Sequence, residues 1–189
     1  MTGSTVPVYC LDTDLPENDE KDRRLTDFLY GGDGHYRLCQ EAILGIGGVK
    51  MLRALGYSRL QRFHMNEGHA SLLGLALLDE TAAAAGRPTF NEEDVEAVKQ
   101  RVGFTTHTPV AGGHDRFSLD LVDRVLNRKE LHGPMKGIFC IDGHLNLTHL
   151  GLHVSRYVNG VAKRHGEVSR EMFKPFPVDA ITDRKSTRL

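Results

Sequence analysis

Two short stretches concentrate the groups able to do chemistry. His64-Met65-Asn66-Glu67-Gly68-His69-Ala70 carries two imidazoles, an amide and a carboxylate. Thr105-Thr106-His107-Thr108-Pro109-Val110 adds hydroxyls and a third imidazole. Neutral His both donates and accepts, carboxylates accept, and Thr and Asn do either. Asp33, Asn66, Glu67, His69, Thr106 and His107 therefore suit a neutral, hydroxyl-rich ligand such as a sugar, whose hydroxyls each need a partner. Neither turn contains Arg or Lys, so phosphate fits less well. A metal site is a second reading, because Glu67 lies between His64 and His69. The HExxH spacing is absent, however, and no metal is expected. A third reading has these His satisfying backbone groups at strand ends. No G-x-S-x-G elbow signals a serine nucleophile.

The flanking patterns say how such groups come together. An apolar run ending at Phe63 reads as a strand over about 60–65, and the Leu/Ala-rich run after it as a helix over about 68–85. A strand turning straight into a helix puts the polar residues at the C-terminal edge of a sheet, where ligands of open α/β folds bind. Val102–Thr106 repeats the arrangement after a helix over about 91–101 with acidic residues in its first turn. The expectation is that Glu67, His69 and His107 line one crevice.

Upstream, Leu38, Ala42, Ile46, Val49 and Leu52 predict a helix over about 35–55 ending at Gly56. Gly45, Gly47 and Gly48 interrupt it, which points to a close neighbour, another backbone element. Val6–Leu11 reads as a strand, 12–24 as a surface loop, Leu25–Tyr30 as at most a helical turn, and Gly31–Gly34 as a turn or a gate bearing Asp33. Downstream, Leu119–Leu126 reads as a helix, 127–137 as a loop, and 145–173 as one long helix kinked at Asn159-Gly160. Residues 176–182 approach another strand.

The chain of 189 residues suffices for one substantial domain. A net charge of −1 favours neither nucleic acid nor anionic membrane. No apolar run reaches the roughly 18 residues of a membrane span. Three widely spaced Cys argue for free thiols in a reducing, cytoplasmic compartment.

The same motifs resemble the α-glucan (glycogen, starch and maltodextrin) phosphorylases. His64–Ala70, Thr105–Val110 and Gly113–Phe117 carry the resemblance, with Leu29–Asp33, Arg37–Val49 and Ser155–Phe173, all in the family's order. It implies an α/β, helix-rich fold, part of the N-terminal Rossmann-like lobe of a glycosyltransferase-B enzyme. It implies conversion of α-1,4-glucan or maltodextrin and phosphate to glucose 1-phosphate with pyridoxal phosphate, and possible oligomers in the full-length parent. By motif, His107 resembles the catalytic-site His that bonds the glucosyl unit. Glu67 and His69 resemble glucan contacts, Thr106 lies beside them, and Asp33 resembles part of a gating loop. The lobe holding the cofactor lysine and phosphate site is not in this chain, so these 189 residues alone are expected to be a fragment without catalysis. Residues 1–182 are expected to be that partial lobe. Residues 183–189 read as vector-derived or a sequencing artefact, and the stretch 131–146 matches poorly. A non-catalytic glucan-binding module and a nucleotide-sugar glycosyltransferase of similar fold are the alternatives.

Overall fold

The computed structural model describes residues 5–29 and 31–181. The expectation for 183–189 lies outside them. A single helical turn, α1 (Glu20–Arg23), interrupts the loop expected over 12–24. The helix expected over 35–55 forms as α2 (Gly34–Ala42), a π-helical stretch (Ile43–Gly47) and α3 (Gly48–Ala54). The close neighbour expected of the three glycines exists at Gly45 alone: a Cβ there would lie 2.6 Å from Leu73 N and 2.8 Å from Leu72 C, whereas one at Gly48 would meet nothing within 4 Å and one at Gly47 only atoms at 4.0 Å. A backbone is indeed the close neighbour, and it belongs to the segment after the first strand.

That strand, β1 (Phe63–Asn66), leads through a 3-10 turn (Gly68–Ala70) into α4 (Leu73–Ala84). Helix α4 is buried almost all round through Leu73, Leu75, Ala76, Leu77, Leu78 and Ala82. A helix apolar on every side has to be central. Helix α5 (Glu92–Lys99) starts from an Asn91–Asp94 capping box, which satisfies two of its orphan N–H donors. Strand β2 (Val102–Thr106) follows, and pairs in parallel with β1, Phe63 opposite Val102 and Asn66 opposite Thr105.

Beyond β2 the chain makes β3 (Arg116–Ser118), then α6 (Leu119–Leu126), whose Ser118 cap accepts from Leu121 N at 3.4 Å. The expected loop over 127–137 contains a 3-10 turn (Lys129–His132) and the start of α7 (Lys136–Phe139). The uninterpreted stretch near 131–146 supplies β4 (Cys140–Ile141) and β5 (His144–Asn146), which join β3 in a small antiparallel sheet of order β3-β5-β4.

The long helix expected over 145–173 is a correction. It is three elements: α8 (Leu147–His153), β6 (Tyr157–Gly160) and α9 (Lys163–Met172). The apolar spacing continues through 154–161, but Val158 has a tertiary partner: it lies opposite Phe104 as β6 pairs in parallel with β2. Short apolar runs carry no periodicity that separates strand from helix, so the pairing decides. Strand β7 (Asp179–Ala180) then pairs with β6, completing a parallel sheet of order β1-β2-β6-β7.

The Val6–Leu11 strand is a second correction. The segment enters neither sheet, and Val6 and Val8 are 79% and 86% exposed. A strand needs a neighbouring edge to satisfy its backbone, and none lies beside it.

One face of the parallel sheet, with Met65, Phe104 and Val158, lies in the core. Each side chain so buried contributes on the order of 2 kcal/mol. The opposite row, His64, Gly103 and Tyr157, is polar or small. The result is α/β and helix-rich with a parallel sheet, as expected for a Rossmann-like lobe.

Candidate functional site

The polar residues of β1 and β2 meet at the C-terminal edge of the sheet, and Glu67 ties the two turns together. Its Oε1 accepts from Thr106 Oγ1 at 3.2 Å, from Thr108 N at 2.8 Å and from the His107 N–H. Glu67 N donates to Thr105 O at 2.9 Å. The residue is 9% exposed and adopts φ 68°, ψ 176°. That backbone region is nearly exclusive to Gly, and a side chain held there costs roughly 1–3 kcal/mol. The three hydrogen bonds to one oxygen offset this strain and carry the carboxylate inward, under the His107 turn.

His107 is exposed at the rim. Its Nε2 donates to Asn66 Oδ1, because an amide oxygen can only accept, and this bond orients the ring. On the polar sheet face, Thr105 Oγ1 donates to Asn159 Oδ1 at 3.0 Å, so His64 Nε2, 2.8 Å from the same hydroxyl, must be the donor. A polar ladder thus crosses β1, β2 and β6.

His69 takes a different direction. Its Nδ1 lies 3.2 Å from Asp115 Oδ2, 3.4 Å from Glu41 Oε1 and 3.3 Å from Arg37 Nη2. Arg37 also reaches Asp115 Oδ2 at 2.7 Å and Glu41 Oε1 at 3.3 Å. Hydrogen bonds to Asp115 and then to Glu41 raise the His69 pKa to about 9, against desolvation. Burial pushes Glu41 up to about 7. Burial would also raise Asp115, but the bond from His69 and the Arg37 charge outweigh it and hold the carboxyl at about 2. His69, Asn66 and His64 line a cavity of about 650 Å³ together with Arg37, Glu41 and Gln40. Its floor is apolar, from Leu11, Ile43 and Leu44.

The structure therefore brings Glu67, Thr106 and His107 together and places His69 in a separate ionic cluster; Asn66 bonds His107 and lines the cavity beside His69, whereas Glu67 and His107 do not line it. Asp33 stands apart. It caps α2, accepting from Tyr36 N at 3.0 Å, and does not line the cavity. Sequence reasoning passed over Arg37, Glu41 and Asp115, although all three lie in the quoted motifs. The i, i+4 spacing of Arg37 and Glu41, which puts both on one helix face, was the available signal.

Ligand atoms of Glu41, His69 and Asp115 lie within 4.8 Å of one another, as a metal site would require. The Arg37 guanidinium already sits among them. A metal ion would meet a fixed cation there, so the donor set does not fit one.

Parallel strands whose C-terminal turns carry the polar groups, with helices packed against the sheet, define an α/β Rossmann-like lobe. Comparison with known proteins specifies it further. No family model matches the chain. Curated relatives do: it is 39% identical over 187 residues to a glycogen phosphorylase of Mycobacterium tuberculosis, covering 89% of this chain and 21% of that protein. It is 36% identical over 196 residues to a maltodextrin phosphorylase of Thermococcus litoralis, covering 97% of this chain and 23% of that one. A glycogen phosphorylase of Aquifex aeolicus is 30% identical over 191 residues, covering 93% and 27%. The chain belongs to the α-glucan phosphorylase family and spans about a fifth to a quarter of the length of these relatives.

No helix among the described residues is long and apolar enough to cross a membrane.

Proposed function

We propose that the chain is the partial N-terminal lobe of an α-1,4-glucan phosphorylase, and that its sheet edge contacts the glucan. Glu67 is the observation that carries this reading. A non-Gly residue strained at φ 68°, with its carboxylate spent on the neighbouring turn, is a local conflict that structures keep where a site needs exact placement. The consequence is positional: the His107 turn is locked to the end of β1, and its ring is oriented by Asn66. In this reading His107 bonds the glucosyl unit at the point of scission through a rim-facing ring. His69 meets glucan hydroxyls from the cavity side, and Thr106 and Glu67 support both from beneath. Phosphorolysis with inorganic phosphate belongs to the longer parent, which we place in the cytoplasm.

Pyridoxal phosphate does not fit the lining of this cavity. No lysine lines the cavity to form a Schiff base, and its one guanidinium, Arg37, is tied to Asp115 and Glu41. A parent enzyme would hold the cofactor elsewhere in its chain, and no step is assigned to it here.

The test is a chimaera. Residues 6–181 replace the matched stretch of the Mycobacterium tuberculosis relative, and release of glucose 1-phosphate from maltoheptaose and phosphate is measured. Activity is expected in the chimaera, with a loss of at least 100-fold in its His107→Ala variant and none from residues 6–181 alone. A folded chimaera without activity, or His107→Ala with full activity, would overturn the reading.

A further inference from the structure

Asp115 comes from the segment after β2, Arg37 and Glu41 from α2, and His69 from the turn after β1. Three separate parts of the chain converge on one imidazole nitrogen. Two protonation states satisfy the distances. In the first, His69 Nδ1 is bare and accepts from Arg37 Nη2 at 3.3 Å. In the second, Nδ1 carries a proton and faces Asp115 Oδ2 at 3.2 Å and Glu41 Oε1 at 3.4 Å. Arg37 Nη2 has a shorter acceptor in Asp115 Oδ2 at 2.7 Å, so it does not depend on the imidazole. A bare Nδ1 would leave its lone pair against two carboxylate oxygens. A protonated one turns both contacts from repulsive to attractive. The second arrangement wins.

We propose that Asp115 and Glu41 are positioning residues that keep a proton on His69 Nδ1 and fix the orientation of its ring beside the adjoining cavity. The inference rests on the reading of that cavity as a glucan site, and it specifies what His69 contributes there: a ring of fixed orientation whose Nδ1 proton is held on the carboxylate side. Asp115 is the principal partner, because it also anchors Arg37. Glu41 is the adjustable one. It is 3% exposed, and its Oε2 has no hydrogen-bond partner among the described residues. A buried carboxyl with one oxygen unpaired is costly as a charged group. Its environment accordingly raises its pKa to about 7, so near neutrality it moves between charged and neutral beside the ring it supports. Arg37 bonds both acids and so ties α2 to the segment after β2.

The experiment is a pH titration of the 189-residue chain by long-range proton–nitrogen NMR, which reports each His69 ring nitrogen separately. The unliganded chain is expected to show a protonated Nδ1 with a midpoint near 9. Asp115→Asn should bring the midpoint down towards the ordinary 6.5. Glu41→Gln should shift it less. An Nδ1 resonance typical of a bare acceptor nitrogen at neutral pH would overturn the proposal. So would a wild-type midpoint near 6.5, which needs no variant to fold. Maltoheptaose is then added. Perturbed His69 shifts, with affinity about 10-fold weaker in Asp115→Asn, support the positioning of the ring for the ligand. A protonated, fixed His69 that ignores maltoheptaose supports the positioning and overturns the glucan reading instead.

Discussion

Glu67 and Glu41 are two buried carboxylates beside the same sheet edge, held in opposite ways. Glu67 is surrounded by neutral donors: two backbone N–H groups and the Thr106 hydroxyl. Its own backbone carries the strain. Glu41 sits in an ordinary helix, and the tension around it is electrostatic, between a second acid, a guanidinium and an imidazole. The first arrangement fixes geometry through neutral donors. The second can change charge near neutrality. One sheet edge therefore combines a clamp of neutral donors with an ionic one.

The largest test of this contrast is the dependence of stability on pH. Glu41 titrates at about 7 when folded against 4.5 when free, so the unfolded chain ionises it first. Its effect is to lower stability as pH rises from 4.5 to about 7. His69, about 9 against 6.5, contributes fully below 6.5 and loses that contribution as pH climbs through 9. Asp115, about 2 against 3.8, contributes above 3.8 and is lost as pH falls through 2. Support from the cluster should therefore peak at about pH 4–5 and decline towards 9, by on the order of 2 kcal/mol once screening at the partly exposed ring is allowed for. Denaturant unfolding at several pH values measures it. Glu41→Gln should flatten the segment from 4.5 to 7, and a profile unchanged by that substitution would remove Glu41 from the account.

A smaller effect separates the two backbones. At position 67 glycine adopts the observed conformation freely, so Glu67→Gly should be more stable than Glu67→Ala by about 1–2 kcal/mol, although both lose the carboxylate. At position 41, inside α2, the order should reverse, with Glu41→Gly less stable than Glu41→Ala by roughly 1 kcal/mol. Thermal or denaturant midpoints of the four variants decide it. The same order at both positions would mean that Glu67 stores no strain.

The smallest expected effect belongs to Thr106, fully buried and donating to Glu67. Thr106→Val keeps the shape and removes one of three donors, so a loss of about 1 kcal/mol is expected in denaturant unfolding. Unchanged stability would mean that the hydroxyl adds nothing to the clamp at Glu67.

Much of this was legible in the chain itself. The β1 and β2 strands, the turns bearing Glu67 and His107, helix 119–126 and the close approach at Gly45 follow from local patterns. Those signals act over a few residues and survive any tertiary context. The family likeness was legible for the same reason, since its motifs are contiguous. Where a local pattern permitted two outcomes, only the assembled fold chose. Val158 became a strand residue because Phe104 stood beside it, and Val6–Leu11 stayed irregular because no strand edge was near. The partners of His69 were the least accessible to sequence: Arg37, Glu41 and Asp115 come from segments that share no spacing with it. An imidazole's charge depends on what lies within a few ångströms, and that distance is set by packing, not by order along the chain.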